Sequence, residues 1–232
     1  MPGYAGERSS SLTQSGEGLV PCGRPGMMAD VNEVDRLLAW HGWSHEADAS
    51  GAAEPTAVDR LLEGLTTEQL RARPAPGLNS IVWILWHAAR IEDTVINTIV
   101  AGTPQVLESA GWAERLGAAG VAIGTGMDDA EVEALSSRLE PESLRAYRLA
   151  VGSRTREIVR AVPVERWDEL VDSERVRRAA AGASPGAGAW LGDDWLGRPI
   201  SFFFAMPATA HSYVHLGEAW CLRALLGAGG GR

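Results

Sequence analysis

The sequence predicts an all-α protein, a four-helix bundle with long crossover loops and short extra helices. Apolar residues recur three and four positions apart in four long segments, which is the spacing of one helix face. No segment alternates apolar and polar residues for long enough to predict a β-strand. Long connections separate the four segments, as in bundles with crossover connections.

The first long helix is predicted to follow Asp30, a residue type that caps helices, and to carry an apolar stripe at 31–38. Helical spacing resumes at 58–65. Thr66 to Gln69 has the pattern of a capping box, which predicts a further short helix. The Pro- and Gly-rich stretch 73–77 then breaks the chain.

The strongest helical pattern runs from about Ile81 to Val100, after the capping pair Asn79 and Ser80. Gly102 and Pro104 end it. Its inward stripe is predicted to consist of apolar residues at helical spacing, namely Ile81, Ile84, Leu85, Ala88, Val95 and Ile99.

The second half of the chain predicts a long connection over 105–127 and a short helix from Asp128 or Asp129. Pro141 suits the first turn of a long helix that ends near Val162. The segment 182–199 is rich in Gly and contains two prolines, so it is predicted to be a loop. Its tryptophans, Trp190 and Trp195, could form an apolar lid over a pocket.

A last helix is predicted from about Pro207 to Leu226. Its inward side is predicted to hold Val214, Gly217, Cys221 and Leu225. Cys221 is therefore interpreted as a small buried apolar residue, and Cys22 lies too far away in the chain to suggest a disulfide framework.

The domain organisation follows from where this periodicity begins and ends. Residues 1–28 are rich in Gly, Ser and Pro and lack helical spacing, so they are predicted to be a disordered extension. The bundle domain is predicted to cover 29–228, with a flexible tail at 229–232.

Composition excludes several function classes. The net charge is −9, and the sequence contains no basic stripe of the kind that nucleic-acid binding requires. All 21 basic residues are arginine, which excludes lysine Schiff bases and Walker-type phosphate loops. The absence of a secretory or membrane-length apolar run predicts a cytoplasmic protein. The lysine-free, Ala- and Gly-rich composition suggests a bacterial origin.

Three of the five histidines fall in the two strongest helical patterns. His211 and His215 are four residues apart, so both rings project from one helix face and can reach one metal ion. His87 is the natural third ligand. The alternative is that these are hydrogen-bonded histidines without a metal. His41 and His45 have the same spacing, but they are interpreted as surface residues because Gly42 weakens their helix.

Two further polar residues are candidates for catalysis. Glu218 shares the face of His211 and His215, so it could be a fourth ligand, a general base, or an acceptor that orients an imidazole. Arg90 lies near His87 on its helix and could hold a substrate carboxylate or pair with a neighbouring acid. Glu92 and Asp93 point away from His87 and are interpreted as structural or interfacial.

Two sequence blocks together resemble the DinB-like superfamily. They are NSIVWILWHAARIED at 79–93 and HSYVHLGE at 211–218, and the resemblance extends over roughly 31–227. It implies an up-down-down-up four-helix bundle with a metal held by His87, His211 and His215. Characterised members of the family include thiol S-transferases and isomerases that use bacillithiol, mycothiol or glutathione. The chain departs from a minimal member at the Gly-rich insert 117–127 and the Trp-rich segment 182–199.

A site of this kind has a clear chemistry. Three neutral imidazoles leave a divalent ion its full charge and at least one open position. Zn²⁺ is the first expectation, with Ni²⁺ or another first-row ion as an alternative, since imidazole selects weakly among them. A thiol that enters the open position would lose its proton and attack a small-molecule electrophile, with Glu218 or bound water taking the proton. A composition rich in Ala, Gly and Arg without Lys suggests a GC-rich bacterial genome, and mycothiol is the thiol expected in such a bacterium.

Three function classes therefore remain open from the sequence. The first is a metal-dependent thiol transferase or isomerase, and the second is a hydrolase in which the metal activates water. The third is a non-catalytic bundle that binds a small ligand or a partner. A homodimer is expected in each case, because bundles this apolar often pair.

Overall fold

The structure, a computed structural model, describes residues 32–181 and 187–228, of which 187–190 are described by their backbone only. Within these ranges the chain is helical, and its β-pairing is one isolated antiparallel bridge between Leu170 and Pro199. The prediction of an all-α protein is confirmed. The predicted extension 1–28 and tail 229–232 lie outside the described residues. None of the described helices combines the length and apolarity that spanning a membrane requires.

The first helix, α1, covers Glu33–Trp43. Its N-cap is Asn32, whose side-chain oxygen accepts a hydrogen bond of 2.8 Å from the backbone N–H of Asp35. The predicted cap, Asp30, lies outside the described residues.

Three short helices follow: α2 (Ala47–Ser50), α3 (Ala57–Leu62) and α4 (Thr67–Arg71). The last two begin with complete capping boxes, and the box of α4 is the predicted pair of Thr66 and Gln69.

Helix α5 (Ile81–Asp93) is the centre of the fold. Ser80 caps it by accepting a hydrogen bond of 3.1 Å from the N–H of Trp83. The helix continues as a π-helical segment, Thr94–Ala101, and ends at Gly102, whose φ of +66° is left-handed. The predicted bounds are confirmed. Every residue of α5 is buried, however, and not only the predicted stripe, because other elements cover all of its faces.

The predicted long connection contains a 3₁₀ turn, Val106–Glu108, and the short helix α6, Trp112–Arg115. Helix α7 (Asp129–Arg138) starts at the cap Asp128, and α8 (Pro141–Ala161) starts with its proline, both as predicted.

Helix α9 covers Ser173–Ala181. Helix α10 (Ala187–Trp195) corrects the prediction of a loop at 182–199, of which 182–186 lie outside the described residues. The glycines of α10 lower its helix propensity, and at Gly192 a Cβ would make only an ordinary contact, 3.5 Å from the Cβ of Ala180. Trp195 is buried in the core and is not part of an exposed lid, whereas the side chain of Trp190 lies outside the description. Burial of Trp195 offsets the low helix propensity of the segment.

The C-terminal helix has three parts: α11 (Ile200–Ala205), a π-helical segment (Met206–Ala210) and α12 (His211–Leu225). The predicted inward face of α12 is wrong. Val214 and Leu225 are 72% and 64% exposed, and Cys221 is exposed as well. The stripe that packs inward contains Leu216, Ala219 and Leu222. Both stripes have helical spacing, so periodicity alone does not choose between them.

The four-helix core places α5 against α8 and α12, and α1 against α8. One hydrophobic cluster surrounds the first half of α5 and contains Trp86, Tyr147 and Leu216. A second surrounds the 94–101 segment and contains Ile99, Phe203 and Trp195. The last turns of α5, which carry polar side chains, thus run between two apolar clusters.

Candidate metal centre

The structure brings the three predicted metal-ligand histidines together. His211 and His215 lie one turn apart on α12, with their Nε2 atoms 3.2 Å from each other. The ring centroid of His87, on α5, lies 5.2 Å from that of His211 and 5.0 Å from that of His215. One ring nitrogen of each histidine lies within 4.8 Å of the others. Packing of α12 against α5 therefore forms a three-imidazole cluster from distant parts of the chain.

Hydrogen bonds fix the tautomers of two of these rings. The Nδ1 of His87 is bonded to the backbone carbonyl of Ile123, which can only accept, so Nδ1 carries the proton. The Nδ1 of His215 donates to Oε2 of Glu218 over 3.0 Å. In both rings the Nε2 lone pair is left for a cation, which is how metal-binding histidines are usually oriented.

His211 completes the cluster. Its Nδ1 is buried and has no partner among the described residues, and its Nε2 faces the Nε2 of His215. Two imidazole lone pairs that face each other at this distance repel unless a proton or a cation lies between them. Three imidazoles converging in this way fit a divalent ion with nitrogen ligands.

The electrostatics keep two of these rings neutral. Burial, with a smaller effect from His215, lowers the pKa of His87 to about 4, against the opposing effects of Ile123 and Glu218. Burial and the neighbouring His215 and His87 lower the pKa of His211 to about 3. Both rings are therefore deprotonated at neutral pH, as a ligand to a divalent ion must be.

Glu218 occupies the position that the sequence predicts, beside His215. Its other oxygen, Oε1, accepts a hydrogen bond of 2.9 Å from the side-chain amide of Asn79. The hydrogen bond from His215 is the main cause that lowers the pKa of Glu218. Because both carboxylate oxygens have partners, the geometry favours the third of the predicted roles, an acceptor that orients an imidazole.

Arg90 makes an internal ion pair. Its guanidinium donates to Asp93 (3.1 Å) and Tyr147 (2.8 Å), to the side chain of Gln105 and to the carbonyl of Ala122. Asp93 is fully buried and also accepts from the Tyr147 hydroxyl at 2.6 Å. Of the two predicted roles for Arg90, the geometry favours pairing with a neighbouring acid.

The Gly-rich insert 117–127 forms part of the cluster's wall. Its Ile123 carbonyl holds His87, and its Gly124, with a φ of +85°, lies so close to Trp86 that a Cβ would approach a ring carbon to 2.6 Å. Trp83 stacks on His87 with ring centroids 4.9 Å apart. The role of Ile123 could not be found from the sequence, because a backbone carbonyl leaves no residue-type signal.

A second polar cluster corrects another prediction. His41 and His45 were expected at the surface, but both are buried, and each Nε2 lies 2.8 Å from a different oxygen of the buried Glu92. Gly152 of α8 makes room for His45, since a Cβ there would lie 2.7 Å from its Nδ1. The available signal was the histidine spacing together with an acid in the strongest helical pattern of the sequence.

Comparisons with known proteins agree with this architecture. The sequence model of the DinB superfamily matches residues 52–190, more than half of the chain. A crystal structure of a conserved protein from Enterococcus faecalis has a TM-score of 0.60 to this chain at 16% identity, covering 86% of this chain and 99% of the other. At that identity the likeness shows the fold. No curated protein matches the chain.

Proposed function

The chain belongs to the DinB superfamily, and we propose that it is a divalent-metal-dependent transferase or isomerase that uses a low-molecular-weight thiol. The observation that supports this most directly is the hydrogen bonding of the three-imidazole cluster. The Ile123 carbonyl holds Nδ1 of His87 and the Glu218 carboxylate holds Nδ1 of His215, which leaves Nε2 in both rings as the nitrogen that can bind a cation. Such preorganisation is expected of a metal site, and a set of histidines that only pack together does not require it.

The residues in and around the cluster have separate roles in the proposed site. His87, His211 and His215 would hold the ion, while the Ile123 carbonyl and the Glu218 carboxylate keep two of the rings in position. Zn²⁺ is the first candidate and Ni²⁺ the second, because imidazole selects weakly among first-row ions. When bound, the ion supplies positive charge and an open position that lower the pKa of an entering thiol and make it a nucleophile.

The proposed partners are therefore a thiol such as mycothiol and a small-molecule electrophile. Trp83, buried and stacked on His87, gives the cluster an apolar wall. We further propose a cytoplasmic homodimer that does not bind nucleic acid, in keeping with the net charge of −9.

The first experiment is elemental analysis of the purified full chain. We expect bound first-row metal in the parent and one ion fewer per chain in His87→Ala and in His215→Ala. Cys221→Ser is the matched control, because this residue is exposed on the same helix and should leave the metal content unchanged. Equal metal content in the parent and both histidine variants would contradict the assignment of the ligands.

The second experiment separates the reaction classes. The metal-loaded parent is incubated with a chromogenic dinitrophenyl halide in the presence of mycothiol, of glutathione, or of no thiol. Thiol-dependent release of halide that is lost in His87→Ala would support the proposal. Turnover of ester or amide probes without any thiol would instead show that water is the nucleophile.

A further inference from the structure

The cluster of His41, His45 and Glu92 lies apart from the three-imidazole cluster. Glu92 follows His87 by five residues on α5, and at 100° per residue the two side chains point about 140° apart around the helix axis. The histidines of this second cluster come from the end of α1 and the segment after it. The two clusters therefore lie on different faces of α5.

The donor atoms of this cluster are arranged around a carboxylate. Oε1 of Glu92 lies 2.8 Å from Nε2 of His41, and Oε2 lies 2.8 Å from Nε2 of His45. The imidazole centroids are 4.4 Å apart. Two nitrogens and a carboxylate that can bind through both oxygens provide four donor atoms, the number that structural zinc sites use.

The charge of the cluster also favours a cation. Glu92 is 1% exposed, and its ion-pair partners within the described residues are these two imidazoles. The nearby Arg148 pairs with Glu46 instead. A carboxylate this deeply buried in a medium of low dielectric needs cationic partners, and a divalent ion held by the two imidazoles would supply that charge.

The remaining ring nitrogens do not oppose metal binding. Nδ1 of His41 and Nδ1 of His45 are buried, and neither has a partner among the described residues. Without a metal, Nε2–H donates to Glu92 and Nδ1 is an acceptor without a donor. With a metal on Nε2, the proton moves to Nδ1, which becomes a donor without an acceptor. The number of unsatisfied atoms is the same in both states.

From this geometry we propose that His41, His45 and Glu92 form a second, structural site for a first-row divalent ion, with Zn²⁺ as the expected occupant. Because all three side chains are almost completely buried, the site has no room for a substrate, and its role is to fasten the end of α1 to α5. This proposal does not depend on the chemistry of the three-imidazole cluster.

The test uses a chain from which the first cluster has been removed. The double variant His211→Ala/His215→Ala is titrated with Co²⁺ in the full-length protein, and binding is followed by the visible absorption of the ion. We expect one equivalent of Co²⁺ with the intense bands of a four-coordinate site, and an increase in melting temperature when Zn²⁺ is added. No Co²⁺ binding and no effect of Zn²⁺ on melting would overturn the proposal.

A further pair of variants assigns the bound ion. Adding Glu92→Gln to the double variant should reduce the stoichiometry from one to zero. Adding Glu46→Gln is the matched control, because it also removes a buried, ion-paired carboxylate but no proposed ligand, so one equivalent should remain. If Glu92→Gln does not fold, the titration of the double variant still decides the question. Co²⁺ binding that survives Glu92→Gln in a folded protein would show that the ion lies elsewhere.

Discussion

His87 and Arg90, one turn apart on α5, are held by neighbouring carbonyl groups of the same loop. Nδ1 of His87 is bonded to the carbonyl of Ile123, and Nε of Arg90 donates to the carbonyl of Ala122 over 3.3 Å. The candidate metal ligand His87 and the ion-paired Arg90 thus share one support. The insert that distinguishes this chain from a minimal family member supplies that support.

This relationship predicts the effect of replacing Arg90. Arg90→Met should lower the free energy of unfolding by about 3–5 kcal/mol, because it leaves Asp93 buried without its cation. It should also weaken metal binding by about 10- to 100-fold, since the loop that orients His87 loses a donor. Urea unfolding and metal competition with a chelator measure the two effects.

The matched control for Arg90→Met is Arg154→Met. Arg154 pairs with Glu157 three residues away, but the two side chains are 40% and 64% exposed. Its replacement should change stability by less than about 0.5 kcal/mol. Unchanged metal affinity in a folded Arg90→Met protein would show that the loop holds His87 without this arginine.

Gly124→Ala tests the loop directly. The added Cβ would lie 2.6 Å from Trp86 and 3.0 Å from Trp83, at a backbone φ of +85°. We expect a loss of stability of about 2–4 kcal/mol, from the left-handed backbone strain and the overpacking together. Thermal or urea unfolding gives the value.

Gly120→Ala separates these two causes. Gly120 has a similar φ of +73°, but a Cβ there meets nothing within 4 Å. It should therefore cost only the backbone strain, about 1–2 kcal/mol. If the two variants were equally destabilised, close packing of Gly124 on the tryptophans would carry no energetic weight.

Gly152→Ala tests how closely His45 of the second cluster packs against α8. Glycine to alanine in a helix interior ordinarily stabilises a protein by about 0.5–1 kcal/mol. In α8 we expect the opposite sign, with a loss of about 1–3 kcal/mol, because the Cβ would lie 2.7 Å from the His45 ring that Glu92 holds in place. Gly217→Ala, in α12 with nothing within 4 Å, should show the ordinary stabilisation. A stabilising Gly152→Ala in urea unfolding would mean that His45 moves away freely.

The stability of the metal-free protein should depend on pH. Burial lowers the pKa of His87 from 6.5 to about 4 in the folded state, so the unfolded chain binds more protons between these values. This contribution is fully present above pH 6.5 and is lost as the pH falls toward about 4, with a slope of up to about 1.4 kcal/mol per pH unit and ring. Burial lowers the pKa of His211 and His41 too, and both act in the same direction.

Urea unfolding of chelator-treated protein between pH 7 and pH 5 measures this slope. In His87→Asn the slope should become shallower by the contribution of one ring, while the contributions of His211 and His41 remain. An identical slope in parent and variant would show that His87 is not the source of the effect.

Much of the fold could be predicted from local signals, and the failures have physical causes. Capping residues, prolines and helical spacing correctly predicted α4, α5, α7 and α8, because these features act within one or two turns of the chain. Helix α10 was missed because burial of Trp195 outweighs the weak helix propensity of its glycine-containing sequence. The predicted inward face of α12 was wrong because two sets of residues on this helix have equally regular helical spacing, and periodicity alone does not tell which set is buried.

The candidate site, too, was predicted in part from local signals and in part only from the structure. The three candidate metal-binding histidines could be predicted, because residue type and helical register are properties of the sequence. Glu218 was placed correctly, but its orienting role became visible only with its partner Asn79. His41 and His45 were misplaced because burial depends on what packs over a residue; His45, for example, lies against Gly152 of α8.

By itself, then, the sequence determined an all-helical chain with His87, His211 and His215 on two helices, because periodicity and side-chain chemistry are local properties. Tertiary packing alone decided which ring nitrogen carries the proton, which acid pairs with Arg90, and that Glu92 joins two histidines in the interior. Each of these depends on a contact between residues remote in the chain, and hydrogen bonds and burial act over a few ångströms of space and not over sequence distance.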